Sequence, residues 1–335
     1  MTSPSTCNPD VSIVIVSYNT AELTARCIQS ILGMQTRLTV EIIVVDNASP
    51  DDSAGYLAVR FPQVNVIEAG GNHGFAYANN LGFARSRGEF VLCLNPDTEI
   101  SAAAVEAAIA CLRSATDIAM VGVRLRDGSG AEGTSAMRFP KPGHFLLTAL
   151  LPWPLVQRLP LLGDLRYGTR DVRDAFPCDA VVGCFMLFPR WLLDRVGGFD
   201  DRFFMYGEEV EWCWRIRRAG YGVQYLGSHS ILHLGGASTR LMSGWKLRTM
   251  ARGQILAQTL MRGSAAGKAT NAFMILGQLV RLPIWLMLVP LRGSEPLRGQ
   301  WARLAFLCRS LMEPSSALYR SSAAQPPQAG AGAGA

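Results

Sequence analysis

Short runs of apolar, largely β-branched residues, each stopped by a polar cluster, constrain this chain more than any other feature. Val11–Val16 stops at Ser17-Tyr18-Asn19-Thr20, Glu41–Val45 at Asp46-Asn47-Ala48-Ser49-Pro50, and Phe90–Leu94 at Asn95-Pro96-Asp97. A further run, Val64–Glu68, leads into Gly70-Gly71. Such runs lack the polar alternation of a half-exposed strand and call for cover on both faces. Between the first two, Leu23, Cys27, Ile28, Ile31 and Leu32 recur at helical spacing. Asp51 to Phe61 reads as a short helix, Gly70–Gly82 as a Gly/Asn-rich turn entering a helix, and Ala102–Leu112 as another helix. Apolar strands separated by helices make an α/β fold with a mostly parallel sheet flanked by helices.

Charge divides the chain. Residues 1–235 hold 20 Lys and Arg against 24 Asp and Glu, a net of −4, whereas residues 236–335 hold 12 against 2, a net of +10. The expected organisation is a catalytic body over 1–250, a basic and apolar helical extension over 251–314, and a disordered Ala/Gly/Pro/Ser-rich tail over 315–335. Hydrophobic residues make up 49% and charged residues 17%, which excludes wholesale disorder and supplies a sizeable core. Ala272–Val289 is apolar but interrupted by Gln278, Arg281 and Pro283, with Arg262, Lys268, Arg292, Arg298, Arg303 and Arg309 around it. An arginine at the centre of a span is costly, so a segment lying on an anionic membrane surface fits better than one crossing it. The alternative is an extension packed on protein. Phe145–Leu162 is apolar too, but Pro152, Pro154 and Pro160 exclude a regular spanning helix, which leaves a buried connector, the favoured reading, or a membrane-facing loop. The arginines of the extension alternate with aliphatic runs rather than stacking aromatics, which argues against nucleic acid.

None of the eight cysteines forms a CxxC pair, and several sit in apolar runs, the usage of buried thiols in a reducing compartment. Met1–Asp10 is polar, without the apolar centre of a secretion signal. A cytoplasmic protein, peripheral on the inner face of the membrane, is expected.

The polar residues that could do chemistry collect at strand ends. In open α/β sheets ligands lie outside the carboxyl ends of the strands. One Asp there is an ordinary turn or cap residue; convergence of Ser17, Asn19, Asp46, Asn95 and Asp97 on one edge is not. Gly70-Gly71-Asn72-His73-Gly74 lacks the GxGxxG spacing and does not follow the first strand, so a hydride-transfer enzyme is a weak rival. Asp97 offers a carboxylate to a divalent cation, with diphosphate oxygens filling its remaining positions. Three carboxylates, Glu208, Glu209 and Glu211, open a helical segment amid Phe203, Phe204, Trp212 and Trp214. Dipole complementation and a Glu211–Arg215 pair account for acids there without catalysis, while an aromatic setting favours general-base use.

Val14-Ile15-Val16-Ser17-Tyr18-Asn19, Val44-Val45-Asp46-Asn47-Ala48-Ser49, Asn72-His73-Gly74-Phe75-Ala76-Tyr77-Ala78-Asn79-Asn80, Leu94-Asn95-Pro96-Asp97 and the acidic segment at 207–215 follow one another in this order. Together, over Val11 to about Thr239, they resemble the family 2 glycosyltransferases of GT-A fold, and in particular bacterial rhamnosyltransferase-like members. The resemblance implies that Ser17, Asn19 and Asp46 hold the base and ribose of a nucleoside-diphosphate sugar, and that Asn72, Gly74, Asn80 and Asn95 line the donor. It implies that Asp97 is the last carboxylate of the family's DXD element, written here Asn95-Pro96-Asp97, and that His233 joins it on a cation, Mg or Mn. Glu209 matches the general base, with Glu208 as the alternative. The usual Glu-Asp pair is Glu208-Glu209 here, and Glu211 also replaces an Asp, so the acid reaches farther by about one C–C bond, which matters where positioning governs rate.

The function these readings imply is inverting transfer of a sugar, rhamnose among the candidates, to a hydroxyl of a glycan or lipid-linked glycan in cell-envelope polysaccharide synthesis. Phe204, Trp212 and Trp214 would stack on the acceptor. A nucleotide-sugar-binding scaffold that has lost the chemistry is the alternative, motivated by the changed acids.

Overall fold

In a computed structural model of the full chain, residues 8–151, 165–235, 243–292 and 295–312 are described here. The proposed tail, and the proline-broken part of the 145–162 run from residue 152 on, lie outside them. The strands, in chain order, are β1 (Val11–Ser17), β2 (Val40–Asp46), β3 (Asn65–Glu68), β4 (Phe90–Leu94), β5 (Thr98–Glu99), β6 (Ile118–Arg126), β7 (Glu132–Gly133), β8 (Ala136–Met137), β9 (Ala175–Cys178), β10 (Ala180–Val181), β11 (Phe185–Pro189) and β12 (Gly222–His233). The helices are α1 (Ala21–Leu32), α2 (Ser53–Arg60), α3 (Phe75–Arg85), α4 (Ala102–Ser114), α5 (Pro142–Leu150), α6 (Trp191–Val196), α7 (Glu208–Arg218), α8 (Ser243–Arg262), α9 (Ser264–Arg292) and α10 (Glu295–Met312).

Contacts divide the chain into two units. The first takes residues up to 139, 164–201 and 209–237; the second takes 140–163, 202–208 and everything from 238 on. The first unit is built on a mixed sheet of order β3-β2-β1-β4-β11-β6-β12-β5, with β7 on β6 and β9 on β12. β3, β2, β1 and β4 run parallel, as their crossover helices require. β11 runs antiparallel between β4 and β6, and β12 parallel to β6. Every residue of β1 and β4 is buried, which is why these strands read as unbroken apolar runs.

The register aligns the strand ends. Ser17 of β1 pairs with Asp46 of β2, and Ile15 of β1 with Leu94 at the end of β4. α1 buries Thr24, Ala25, Cys27, Ile28 and Ile31, while Leu32, one of the helical-periodic residues, is 44% exposed at the last turn. In the second unit, Phe145 of α5, Ala251 and Ile255 of α8, Met274 of α9 and Leu307 of α10 form a separate core. The apolar stretch at 272–289 is part of α9, which continues through Pro283 and Pro290. No helix among the described residues is long and apolar enough to cross a membrane.

Candidate functional site

The ends of β1 and β2 are tied by side chains the loops bring together. The Ser49 hydroxyl donates to Oδ1 of Asp46 at 2.5 Å and its N–H to Oδ2 at 2.8 Å, while Asn19 N–H donates to the Ser49 hydroxyl at 2.9 Å. Asn19 adopts φ +54°, a left-handed conformation that Asn tolerates better than most residues. Asp46 is buried and fixed in orientation, with one oxygen lone pair on each side still unassigned by these bonds. The Ser17 hydroxyl, wholly buried, is shared with Thr20 and Thr24 at 3.3 and 3.1 Å. It reinforces the strand end rather than projecting from it.

Asn47, beside Asp46, is the lock of the neighbouring turn. Its amide donates to Asn72 Oδ1 at 2.9 Å and to the Gly74 carbonyl at 3.4 Å, and its own Oδ1 accepts from His73 N–H at 3.2 Å. Asn72 Oδ1 also accepts from Gly74 N–H at 3.2 Å. Gly74 has φ +91° as it enters α3, a conformation that costs an ordinary residue dearly. The turn expected to line the donor is therefore rigid.

Asn80 does not join that lining. Both ends of its amide are used on the 199–201 loop: Nδ2 donates to the Phe199 carbonyl and to Asp201 Oδ1, and Oδ1 accepts from Phe199 N–H at 3.0 Å. Successive positions on α3 face different ways, Asn80 towards the 199–201 loop and Asn79 into the core. Asn79 is fully buried and accepts from the Cys93 thiol at 3.2 Å.

At the end of β4, Asn95 N–H donates to the Cys184 carbonyl at 3.2 Å, and its carbonyl accepts from the Thr98 hydroxyl at 2.6 Å. This closes the Asn95-Pro96-Asp97 turn and directs the chain into β5. β5 pairs with the end of β12, His233 opposite Thr98, and Leu234 N–H donates to the Asp97 carbonyl at 3.0 Å. The pairing brings His233 Nε2 to 3.4 Å from Asp97 Oδ1, with Asp97 7% exposed. Two donors bound to one small divalent cation at about 2.1 Å stand roughly 3–3.5 Å apart, so this pair fits such an ion. No group of three or more His, Cys, Asp and Glu stands together among the described residues. A cation held here would take its other ligands from substrate or water.

Cys184 is the landmark that links this pair to the acidic helix. Burial, above all, pushes its thiol up to about 12; the charges of Asp97 and Glu209 push the same way and Arg166 opposes them. The charges of those three groups therefore all act on one buried thiol. The Glu209 Cβ is 4.0 Å from the point where a side chain on Gly183 would begin. Much of Arg166 is open to solvent, yet the protein around its guanidinium lowers its pKa, with Glu209 and Cys184 working against that effect. Nothing in the sequence singled out Arg166, which lies in an irregular, motif-free stretch.

The other acids have different work. Glu211, buried, receives Arg215 Nε at 2.9 Å on both oxygens, and the same guanidinium donates to the carbonyls of Val196 and Gly198 at 2.7 and 2.6 Å. That is a structural clamp between α7 and the turn after α6. Glu208 is buried and groups with the second unit, not with Glu209. Trp212 is not an acceptor platform: it is wholly buried against Phe83, Phe188 and Phe199, and its indole N–H donates to the Gly197 carbonyl at 2.8 Å. Trp214 is partly exposed, edge-on to Phe139 at 5.1 Å, and remains open to such a role. Phe204 belongs to the second unit, edge-on to Trp245 at 6.0 Å.

The chain is 28% identical over 218 residues to a low-salt glycan biosynthesis hexosyltransferase of Haloferax volcanii, covering 64% of this chain and 64%, just under two thirds, of that protein. It is 28% identical over 234 residues to the N-acetylglucosaminyl-diphospho-decaprenol L-rhamnosyltransferase of Mycobacterium tuberculosis, covering 66% and 75%. Among solved structures, a mannosyltransferase from Pyrobaculum calidifontis in complex with GDP-Man and Mn²⁺ superposes with a TM-score of 0.55 at 16% identity over 92% of this chain and 88% of that one. That likeness shows the GT-A fold. The profile described as glycosyl transferase family 2 matches residues 12–195, and the chain belongs to that family.

Proposed function

We propose that this protein is an inverting glycosyltransferase that moves a sugar from a nucleoside-diphosphate donor to a hydroxyl of a glycan or lipid-linked glycan in cell-envelope polysaccharide synthesis. The observation that carries the reading is the meeting of Asp97 and His233 at 3.4 Å where β5 pairs with the end of β12. In this reading Asp46, Asn19 and the Asn72–Gly74 turn receive the nucleotide and sugar. Glu209 takes the proton from the acceptor hydroxyl as its oxygen attacks the anomeric carbon. Asp97 and His233 would hold a divalent cation, Mg or Mn, which when bound offsets charge on the departing diphosphate. Arg166 offers a second positive centre on the same side. No protein acid is required for the leaving group, in contrast to a hydrolase with paired carboxyl groups. Rhamnose is the first donor sugar to test, given the mycobacterial relative. The basic, partly apolar helices of the second unit support a peripheral place on the anionic inner face of the membrane.

A panel of nucleotide sugars incubated with the protein and Mg or Mn, with nucleotide release measured, tests the reading. One donor should be turned over, and chelation or Asp97→Ala should remove that activity. A folded protein that neither binds nor turns over any donor would overturn the assignment. Donor binding with no transfer under any acceptor condition would favour the scaffold alternative.

A further inference from the structure

Gly253 stands in the middle of α8, where nothing in the helix itself calls for a glycine. α8 runs unbroken from Ser243 to Arg262, and Gly253 is buried there without the positive φ that only glycine adopts freely. An interior glycine weakens a helix relative to alanine, so the reason lies in what packs against it. A Cβ at Gly253 would collide with the Tyr206 carbonyl and stand 3.4 Å from the Met205 carbonyl oxygen. From the other side, a Cβ on Gly207 would lie 3.0 Å from the Gly253 carbonyl oxygen and 3.3 Å from the Phe203 ring. Two stretches of backbone therefore meet directly, and each needs the glycine of the other.

The stretch seated on α8 is strained. Tyr206 has φ +74° and Gly207 φ +104°. A left-handed conformation is an outlier for a bulky residue and persists where the surroundings impose it. Phe204 makes a second contact with the same helix, edge-on to Trp245 at 6.0 Å. Trp245 and Gly253 are about 12 Å apart along α8, so the segment is held at two points rather than pivoting on one. α7 begins at Glu208, directly after this turn, and Glu209 is its second residue. A shift of the turn is a shift of the helix start that carries the Glu209 carboxylate.

Resting on the assignment of Glu209 as general base made above, we propose that Gly253 is a positioning residue for it. The bare backbone of α8 imposes the left-handed turn at Tyr206–Gly207, and so sets where α7 starts and where the Glu209 carboxylate stands. Through this contact the second unit has a part in the reaction, and a change in α8 reaches the base.

Two measurements on the full chain test this. Hydrogen exchange needs no substrate: Gly253→Ala should speed exchange in a peptide spanning 203–214 by about tenfold or more, and leave β1 and β4 unchanged. Gly244→Ala is the control on the same helix, since a Cβ there meets only ordinary contacts, the nearest at 3.5 Å; it should leave exchange and turnover as they are. The second measurement is nucleotide release from dTDP-rhamnose, or from whichever donor of the panel is turned over. Gly253→Ala should lower kcat about 10–100-fold with donor KM changed by less than about twofold, because a displaced base weakens the chemical step and not binding. In a Glu209→Gln background the same change should cost less than about twofold, since the group it positions is gone. If Gly253→Ala does not fold, Gly207→Ala presses on the same contact from the other side and carries the same expectations. Exchange at 203–214 no faster than in Gly244→Ala, or an equal loss of kcat in both backgrounds, overturns the positioning role and leaves Gly253 a packing residue. Glu209→Gln with the turnover of the wild type overturns the assignment of the base and the role of Gly253 with it. A wild-type chain that turns over no donor overturns the proposed function as well.

Discussion

At the residue scale, three acids separated by at most three positions have three fates. Glu209 stays with the sheet unit and shares the surroundings of Cys184 with Asp97. Glu211 is spent on Arg215, and Glu208 groups with the helical unit. Replacing Glu209 by Gln should lower kcat by about 10²–10⁴-fold, the usual worth of a general base, with the unfolding midpoint unmoved. Glu211→Gln should do the reverse. It leaves Arg215 with its two carbonyl acceptors, so the loss is that of a charged hydrogen bond rather than of a fully buried ion pair, about 1–3 kcal/mol in urea unfolding. Equal effects of the two changes on kcat would contradict the assignment. The tryptophans divide similarly. Trp212→Ala should cost about 3–5 kcal/mol of stability as a core truncation, whereas Trp214→Ala should act first on acceptor KM.

At the element scale, the close seating of α3 on the sheet depends on Gly82. A Cβ there would run into Val14 Cγ1 and stand 3.3 Å from Val14 Cγ2 and Val45 Cγ2. Two effects compete in Gly82→Ala: helix propensity favours it by about 1 kcal/mol, and overpacking opposes it by about 1–3 kcal/mol. Both valines are β-branched and stiff in χ1, so overpacking wins. The variant should be destabilised by about 1–2 kcal/mol, with a raised donor KM because α3 begins at the Gly74 turn. Measured stabilisation would show that the strands yield. This scale also shows what the sequence makes legible. β1, β2 and β4 could be read because burial, complete in β1 and β4 and from Ile42 onward in β2, makes them continuous apolar runs and a polar stop marks each end. The antiparallel placing of β11 between β4 and β6 has no local signal, since pairing partners 66 to 99 residues apart leave no periodicity. The partnership of Asp97 with His233 is hidden for the same reason and came only through family resemblance. That Asn80 bonds the 199–201 loop and that Trp212 is wholly buried could not be read from the sequence, because residue type does not tell which way a helix position faces.

At the scale of the whole molecule, the two units are threaded through one another in sequence. The helical unit takes 140–163 and 202–208 out of the span that otherwise builds the sheet unit. Phe145 of α5 completes its core with residues of α8, α9 and α10, and Gln258 of α8 donates to the Pro140 carbonyl at 2.8 Å. The backbone of α8 comes so close to the Tyr206 carbonyl at Gly253 that no side chain fits between them. A cut after residue 250 would therefore not release a clean catalytic domain. It would remove Ala251, Ile255, Met274 and Leu307 from around Phe145, leaving His144 and Phe145, both buried in the full chain, to face water. Exposing such a patch without the ability to collapse promotes association. Residues 1–250 produced alone should aggregate or bind a hydrophobic dye strongly, while a chain ending after Met312 should stay monodisperse and unfold at the full chain's midpoint. The comparison needs only size-exclusion chromatography and dye fluorescence on the two truncations. A monodisperse, cooperatively unfolding 1–250 fragment would mean that α5 finds other cover, and the helices after it would then be an appendage rather than part of what the rest of the chain needs to fold.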